Sequence, residues 1–225
     1  MARRLQGSAR ILKVGSQLFT AEGPAVVEKL ADLGFDISLD LKFHDIPNTV
    51  WGAVASACKL PRIRLLTLHT LGGAAMMRAA RDAAAGRENC PGLLGVTVLT
   101  SMDANTLKEV GVSGSAGTRA LALAMLAQEA GLDGVVASTH EVETIRAACG
   151  PKFLIVVPGV RPANSSTHDQ SRVATPAEAV QAGADYLVIG RPITGAIDPG
   201  EAARKILDEM ASAKIPVREA RNSAS

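Results

Sequence analysis

The stretch Asp36–Thr49, DISLDLKFHDIPNT, decides the fold. Its first half holds an apolar-rich run, Ile37–Lys42, of the length expected for a parallel strand buried on both faces. Its second half leaves that pattern abruptly. Pro47 breaks the strand, and Asn48 is a ready N-cap for a helix over Asn48–Leu60. Strand, loop and helix in this order make one βα unit. Side chains alternate along a strand, so Asp40 and Lys42 share a face, and Asp45 follows on the loop just past the strand end.

The same unit repeats in both directions. Further strands are expected at Ile11–Val14, Leu65–His69, Leu93–Leu99, Gly134–Ala137, Phe153–Val157 and Tyr186–Ile189. Helical patterns lie at Gly23–Leu33, Gly73–Ala85, Thr118–Ala130, His140–Cys149, Pro176–Ala182 and Gly200–Ala213, several of them stopped by a glycine such as Gly34, Gly131, Gly150 or Gly183. A run of βα units in 225 residues implies the α/β class and a single (β/α)8 TIM-barrel domain over residues 1–225. Seven strands are visible where such a barrel has eight. The deficit falls at the N-terminus, where Ala2–Gly7 reads as the end of a first helix, so the first barrel strand is expected to be absent from the chain and the domain N-terminally incomplete. Residues 216–225 read as a disordered tail. The polar stretch Ala163–Thr175 is too long for a routine βα turn and is expected to act as a lid.

Bulk composition narrows the function. Hydrophobic residues make up 47% and charged residues 20%, a soluble globular mixture. A formal net charge of +2 gives no reason to expect a nucleic-acid or membrane partner. No apolar run reaches the length of a membrane span, and MARRLQGSARILKVG lacks the apolar core of a secretory signal. Cys58, Cys90 and Cys149 are far apart and lack C-x-x-C spacing, so they read as free thiols in a reducing cytoplasm, with neither a disulfide framework nor a zinc site.

The chemistry concentrates in four charged residues. A buried Asp-x-Lys pair is costly unless its charges answer one another. Carboxylates at Asp40 and Asp45 flanking Lys42 hold the ammonium charged, and such a lysine is a competent general acid toward a developing carbanion. Lys13 lies in the apolar stretch ILKVG, and an adjacent barrel strand brings it near Asp40, giving an alternating Lys–Asp–Lys–Asp array. At the far end of the chain, Pro158–Arg161 and Gly190–Arg191 close the last two strands. In these barrels that is where phosphate binds, with glycine allowing close backbone approach and arginine offering a planar fork. His44, His69, His140 and His168 show no ligand spacing, and no metal is expected. Met76 and Met77 read as helix core or interface.

DLKFHDIPNT resembles the signature of the orotidine 5′-phosphate decarboxylases, short bacterial type. VTVLTSM at Val96–Met102, PGVRP at Pro158–Pro162 and DYLVIGRPIT at Asp185–Thr194 match that family as well, so the likeness runs from Lys13 to the helix after GRPIT. The resemblance implies a cofactor-free decarboxylation of orotidine 5′-monophosphate to uridine 5′-monophosphate in pyrimidine biosynthesis. Lys42 gives its proton to the C6 carbanion, Asp40 sits against the departing carboxylate, and Lys13 and Asp40 touch the ribose side. It implies a homodimer with shared active sites, in which Asp45, Ile46 and Thr49 reach into the neighbour's site. Thr100, rather than Ser101, meets the pyrimidine edge, and Arg161, Gln170, Gly190 and Arg191 grip the phosphate. Two other readings stand beside it. One is a magnesium-dependent sugar-phosphate decarboxylase of the same superfamily, such as a keto-gulonate-phosphate decarboxylase, which shares Asp-x-Lys-x-x-Asp. The other is a truncated, inactive barrel that binds nucleotide phosphate or merely assembles. FHDIPNT, PGVRP and a Gln-bearing lid favour the first reading.

Overall fold

The computed structural model describes residues 1–86, 90–162 and 174–213. The chain runs β1 (Ile11–Gly15), α1 (Ser16–Glu22), α2 (Ala25–Asp32), β2 (Asp36–Phe43), α3 (Pro47–Ala57), β3 (Ile63–His69), α4 (Gly73–Ala84), β4 (Gly92–Val96), α5 (Ala104–Glu109), α6 (Ala116–Glu129), β5 (Gly134–Val136), α7 (Val142–Cys149), β6 (Leu154–Pro158), α8 (Pro176–Ala182), β7 (Tyr186–Val188), α9 (Arg191–Thr194) and α10 (Pro199–Ser212). The strands form one parallel sheet in the order β1-β2-β3-β4-β5-β6-β7, a nearly closed barrel with β1 and β7 at the two ends of the order. This is the expected (β/α) barrel, with seven strands among the described residues. A 3₁₀ turn at Ala2–Leu5 packs on α10, where Arg4 donates to the Ile197 carbonyl at 2.7 Å and Arg204 to the Ser8 hydroxyl at 3.4 Å.

Strand parity divides the apolar residues into two layers. One parity (Ile37 and Leu39 of β2, Leu66 and Leu68 of β3, Val135, Ile155, Val157) packs outward on Val50, Val54, Met76, Met77, Ala124 and Ile145 of the helices. The other parity (Leu65, Leu94, Val156, joined by Val136, Tyr186 and Val188) points into the barrel. Helix faces meet the sheet through small residues, as at Ala80, Ala120, Ala124 and Ala127, which are all essentially inaccessible. Gly134 belongs to the same economy of space, since a Cβ there would collide with the Leu154 backbone of β6.

Aspartates set the register on the side where strands begin. Asp133, just before β5, accepts the Leu93 N–H of β4 at 2.7 Å. Asp185, just before β7, accepts the Ile155 N–H of β6 at 2.8 Å and pairs with Arg146 of α7. The same guanidinium donates to the carbonyls of Gly150 at 2.9 Å, Phe153 at 2.6 Å and Gly183 at 3.0 Å, which ties α7 to the chain entering β6 and β7.

Several expectations are corrected. Asn48 is not the N-cap of α3: Ile46 holds that position and Pro47 takes the first turn, where its missing N–H costs nothing. The segments α1, α5 and α9 are helical although their runs are too short for a clear period. β4 stops at Val96 rather than Leu99, and Thr175 is no loop residue but the N-cap of α8, in a capping box with Glu178. The three cysteines are not all free. Cys58 closes α3 and Cys90 leads into β4, and the neighbouring βα units bring their Cα atoms to 5.2 Å as a disulfide across 32 residues. Sequence spacing carries no signal of such a pairing, because only the approach of the two Cβ vectors allows it. Cys149 is the buried free thiol, and burial pushes its pKa up. The tail expected at 216–225 and most of the expected lid, 163–173, lie outside the described residues.

Removing Asp185 leaves the Arg146 guanidinium buried without its counter-charge and the Ile155 N–H without its acceptor. Asp185→Ala is therefore expected to lower the unfolding free energy by about 3 kcal/mol or more, read from the urea midpoint. A loss below about 1 kcal/mol, the scale of a surface pair, would show that the Arg146 carbonyl bonds suffice alone.

Candidate active site

The interior parity of β1, β2 and β3 breaks the aliphatic rule. Lys13, Ser38, Asp40, Lys42 and Thr67 all point into a cavity of about 240 Å³, whose other walls are Leu94, Val96, Val98, Leu99, Val136, Ala137, Val156 and Val188, with Thr100 and Pro158. The pocket thus has one polar wall facing an apolar one, the division a site needs to hold a flat ring and work on a charged substituent.

Asp40 is the centre of the polar wall. The register pairs Lys13 with Ser38 and Gly15 with Asp40. The Lys13 Nζ reaches Asp40 Oδ2 at 3.4 Å, while the Lys42 Nζ donates to Asp40 Oδ1 at 2.8 Å. Gly15 leaves room for this, since a Cβ there would lie 2.9 Å from the Lys13 ammonium. The same Oδ1 accepts the Thr67 hydroxyl at 3.0 Å. Burial by itself pushes the Asp40 carboxyl up. The hydrogen bond and charge of Lys42, the charge of Lys13 and the Thr67 hydroxyl outweigh it and hold the group below the ordinary carboxylate range.

Lys42 does not follow a regular strand. Its φ of 51° is left-handed, a region a non-glycine residue occupies at a cost of about 1–2 kcal/mol. Around it the pairing slips, from Leu39 opposite Leu66 to Phe43 opposite Leu68. Four steps on β2 therefore span two on β3. This bulge turns the Lys42 ammonium alongside Asp40, and the displaced Lys42 N–H is caught by the Thr67 hydroxyl at 3.0 Å.

Asp45 is not part of the array within one chain. It is exposed, its carboxylate accepts the Ile46 N–H at 2.6 Å, and it lines a separate open hollow with His44, Ile46, Pro47, Leu71 and Gly72. Ile46 and Thr49 are exposed on the same segment. Thr100 faces the main cavity and Ser101 does not line it. Arg161 is buried just past the end of β6, with its backbone N–H on the Ala174 carbonyl, whereas Gly190 and Arg191 are exposed at the start of α9. Gln170 and His168 lie outside the described residues. The His44 ring stacks obliquely near His69, centroids 5.5 Å apart. Burial, then the neighbouring His44 and Lys42, lower the His69 pKa and keep the ring neutral at pH 7.

Sequence reasoning passed over Thr67 and Ser38. The signal for Thr67 was its place in LLTLH, one hydroxyl in an aliphatic strand and on the face of Leu65 rather than that of Leu66. A buried hydroxyl there needs a partner from across the strand.

Because its pKa is depressed by folding, ionised Asp40 stabilises the native state at neutral pH, and that contribution is lost as pH falls through the folded value. Lys42→Met removes the leading source of depression, so the Asp40 titration midpoint should rise, as read by carboxyl-carbon NMR. An unmoved midpoint would show that Lys13 and Thr67 hold it unaided.

A family profile described as "Orotidine 5'-phosphate decarboxylase / HUMPS family" matches residues 1–206. The orotidine 5′-phosphate decarboxylase of Syntrophotalea carbinolica is 53% identical over 216 residues, which cover 94% of this chain and 88% of that protein. That of Trichlorobacter lovleyi is 51% identical over 212 residues, covering 93% and 88%. The crystal structure of orotidine 5′-phosphate decarboxylase from Lactobacillus acidophilus superposes with a TM-score of 0.78 at 39% identity, covering 89% of this chain and 86% of that one. Matched along nearly its whole length by profile, sequence and fold, the chain belongs to the orotidine 5′-phosphate decarboxylase / HUMPS family.

Proposed function

We propose that this chain decarboxylates orotidine 5′-monophosphate to uridine 5′-monophosphate, a carboxy-lyase step of pyrimidine biosynthesis that needs no metal or organic cofactor. The observation that carries the reading is the Lys13–Asp40–Lys42 array on the polar wall of an otherwise apolar cavity. The curated relatives at 51–53% identity bear that enzyme's name, which favours this branch over the sugar-phosphate branch of the family.

The pyrimidine lies against the apolar wall with its C6 carboxylate toward Asp40 and Lys42. The bond from C6 to the carboxylate breaks, its electron pair stays on C6, and carbon dioxide leaves. Lys42 then transfers a proton to C6 and is left as an amine, to be reprotonated from water. Asp40 fixes the ammonium before the carbanion forms, so little reorganisation is needed when charge develops. Its own negative charge faces the departing carboxylate. Lys13 and Asp40 also contact the ribose, and Thr100 meets the pyrimidine edge. At the phosphate end, Arg161 and Arg191 supply guanidinium groups, and Gly190, above whose Cα the space is open, allows close backbone approach. Gln170 belongs to the same grip.

The working unit is a homodimer with shared sites. Asp45, Ile46 and Thr49 serve the partner's cavity. The support is that Asp45 lines a hollow separate from its own array, that Ile46 and Leu71 line the same hollow and are exposed, and that Trp51 is exposed on α3. The enzyme works in the cytoplasm, because a phosphate monoester of about two negative charges does not cross a lipid bilayer unaided.

Carbon dioxide release from orotidine 5′-monophosphate, unaffected by a chelator, is the direct test; loss of activity on chelation would move the chain to the magnesium-dependent branch. Lys42→Ala should lower turnover by at least about 10²- to 10⁴-fold while retaining binding of a pyrimidine nucleotide monophosphate. Near-normal turnover in that variant would end the assignment of Lys42 as proton donor.

Sharing of the site has its own test. Lys42→Ala and Asp45→Ala, each inactive alone, are mixed under conditions of demonstrated subunit exchange. If each site takes Lys42 from one chain and Asp45 from the other, a heterodimer has one doubly defective site and one intact site. Activity then returns to about half of wild type per heterodimer. A mixture that stays inactive would place both residues in the same chain's site.

A further inference from the structure

We infer that Thr67 is the positioning residue of this site: its single hydroxyl locks the β2 bulge and aims Asp40 and Lys42 at one another. The inference rests on the roles proposed above for Asp40 and Lys42, and it adds a residue that acts through those two.

Three observations meet at this side chain. The first is connectivity. The Thr67 Oγ1 accepts the Lys42 backbone N–H at 3.0 Å and donates to Asp40 Oδ1 at 3.0 Å, so one oxygen links the backbone of the proton donor to the carboxylate that holds its ammonium. A hydroxyl can do both at once because it offers one donor and two acceptor positions. The second is strain. Lys42 sits at φ 51°, and the sheet register slips between Leu39 and Phe43. A backbone conformation of this kind persists only where the surroundings over-determine it. The ladder cannot supply that hold, since the bulge has carried the Lys42 N–H out of register. The third is burial. Thr67 is 3% exposed on the interior face of β3, so water does not readily replace either bond. Without the hydroxyl, the Lys42 N–H loses its acceptor and Asp40 loses one of its donors. Nothing on β3 then holds the strained backbone at Lys42, and the aim of its ammonium at Asp40 Oδ1 loosens.

The groups facing Asp40 are Lys42 on its own strand, Lys13 on β1, and Thr67 and His69 on β3. Among these the Thr67 hydrogen bond favours the ionised carboxylate. Its removal therefore moves the acid limb of kcat/KM to higher pH, a change that a purely structural filler would not produce.

Thr67→Val keeps shape and removes the hydroxyl; Thr67→Ser keeps the hydroxyl and removes a methyl. The expected result is a fall in kcat of about 10- to 100-fold for the valine variant, with KM changed by less than about threefold. Its acid limb is displaced upward and the Lys42 amide loses hydrogen-exchange protection. The serine variant returns kcat to within about fivefold of wild type, with the wild-type limb. Valine turnover within about twofold of wild type, a serine variant as slow as valine, or a fall in kcat with no movement of the limb would each overturn the inference. If the valine variant does not fold, Thr67→Ala against Thr67→Ser is read in the same way. Should the wild-type chain itself release no carbon dioxide, the proposed reaction fails rather than this inference. The Asp40 titration midpoint and Lys42 amide exchange in the valine and serine variants then still decide whether the hydroxyl sets the array.

Discussion

A carboxylate inside a barrel of aliphatic side chains must have its charge answered, and most of what distinguishes this molecule follows from how Asp40 meets that demand. Desolvation of a lone carboxylate costs several kcal/mol. Here it is met by two ammonium groups and a hydroxyl, each from a strand that the sheet order makes a neighbour: Lys13 from β1, Lys42 from β2 itself and Thr67 from β3. The three partners fix the carboxylate, and the carboxylate fixes them. Lys42 in particular is held in place beside Asp40, the preorganisation on which the proposed proton delivery rests.

The demand reaches into the fold. A regular β2 would carry its ladder straight through Lys42. Instead the strand bulges, accepts a left-handed residue and slips its pairing against β3. Strain of this kind persists only where neighbouring groups hold it, here the Thr67 hydroxyl on the Lys42 N–H. The rest of the barrel is built to tolerate it. Outward parity is aliphatic and fully packed on the helices, and on the strand-entry side Asp133 and Asp185 tie β4 to β5 and β6 to β7. The polar irregularity is confined to the interior of β1–β3, opposite a wall of leucine and valine.

Charge placement also separates two sets of residues that lie close in sequence. Asp40 and Lys42 face the cavity, while Asp45, three residues further on, faces an exposed hollow. The strand ends at Phe43, so alternation no longer governs the direction of Asp45, and the turn into α3 through Ile46 and Pro47 carries it outward. One short motif thereby supplies both an interior array and an exposed apolar-flanked carboxylate.

The βα alternation, the class of fold and the face shared by Asp40 and Lys42 were determined by the sequence alone, because hydrophobic period and glycine stops are local properties of the chain. The nearness of Lys13 to Asp40 followed from one further step, the parallel pairing of successive strands. Other features were decided only by tertiary structure. Helices α1, α5 and α9 are short, and α1 lacks the capping box that marks the equally short α8, while Cys58 meets Cys90 only because adjacent βα units bring their Cβ atoms together. Thr67 looked like any strand threonine until β3 lay beside a bulge whose displaced N–H and buried carboxylate both required a hydroxyl. Local pattern can say which face a residue takes. It cannot say which hydrogen-bonding groups a neighbouring strand leaves unpaired, because that depends on a register set by packing across the whole sheet.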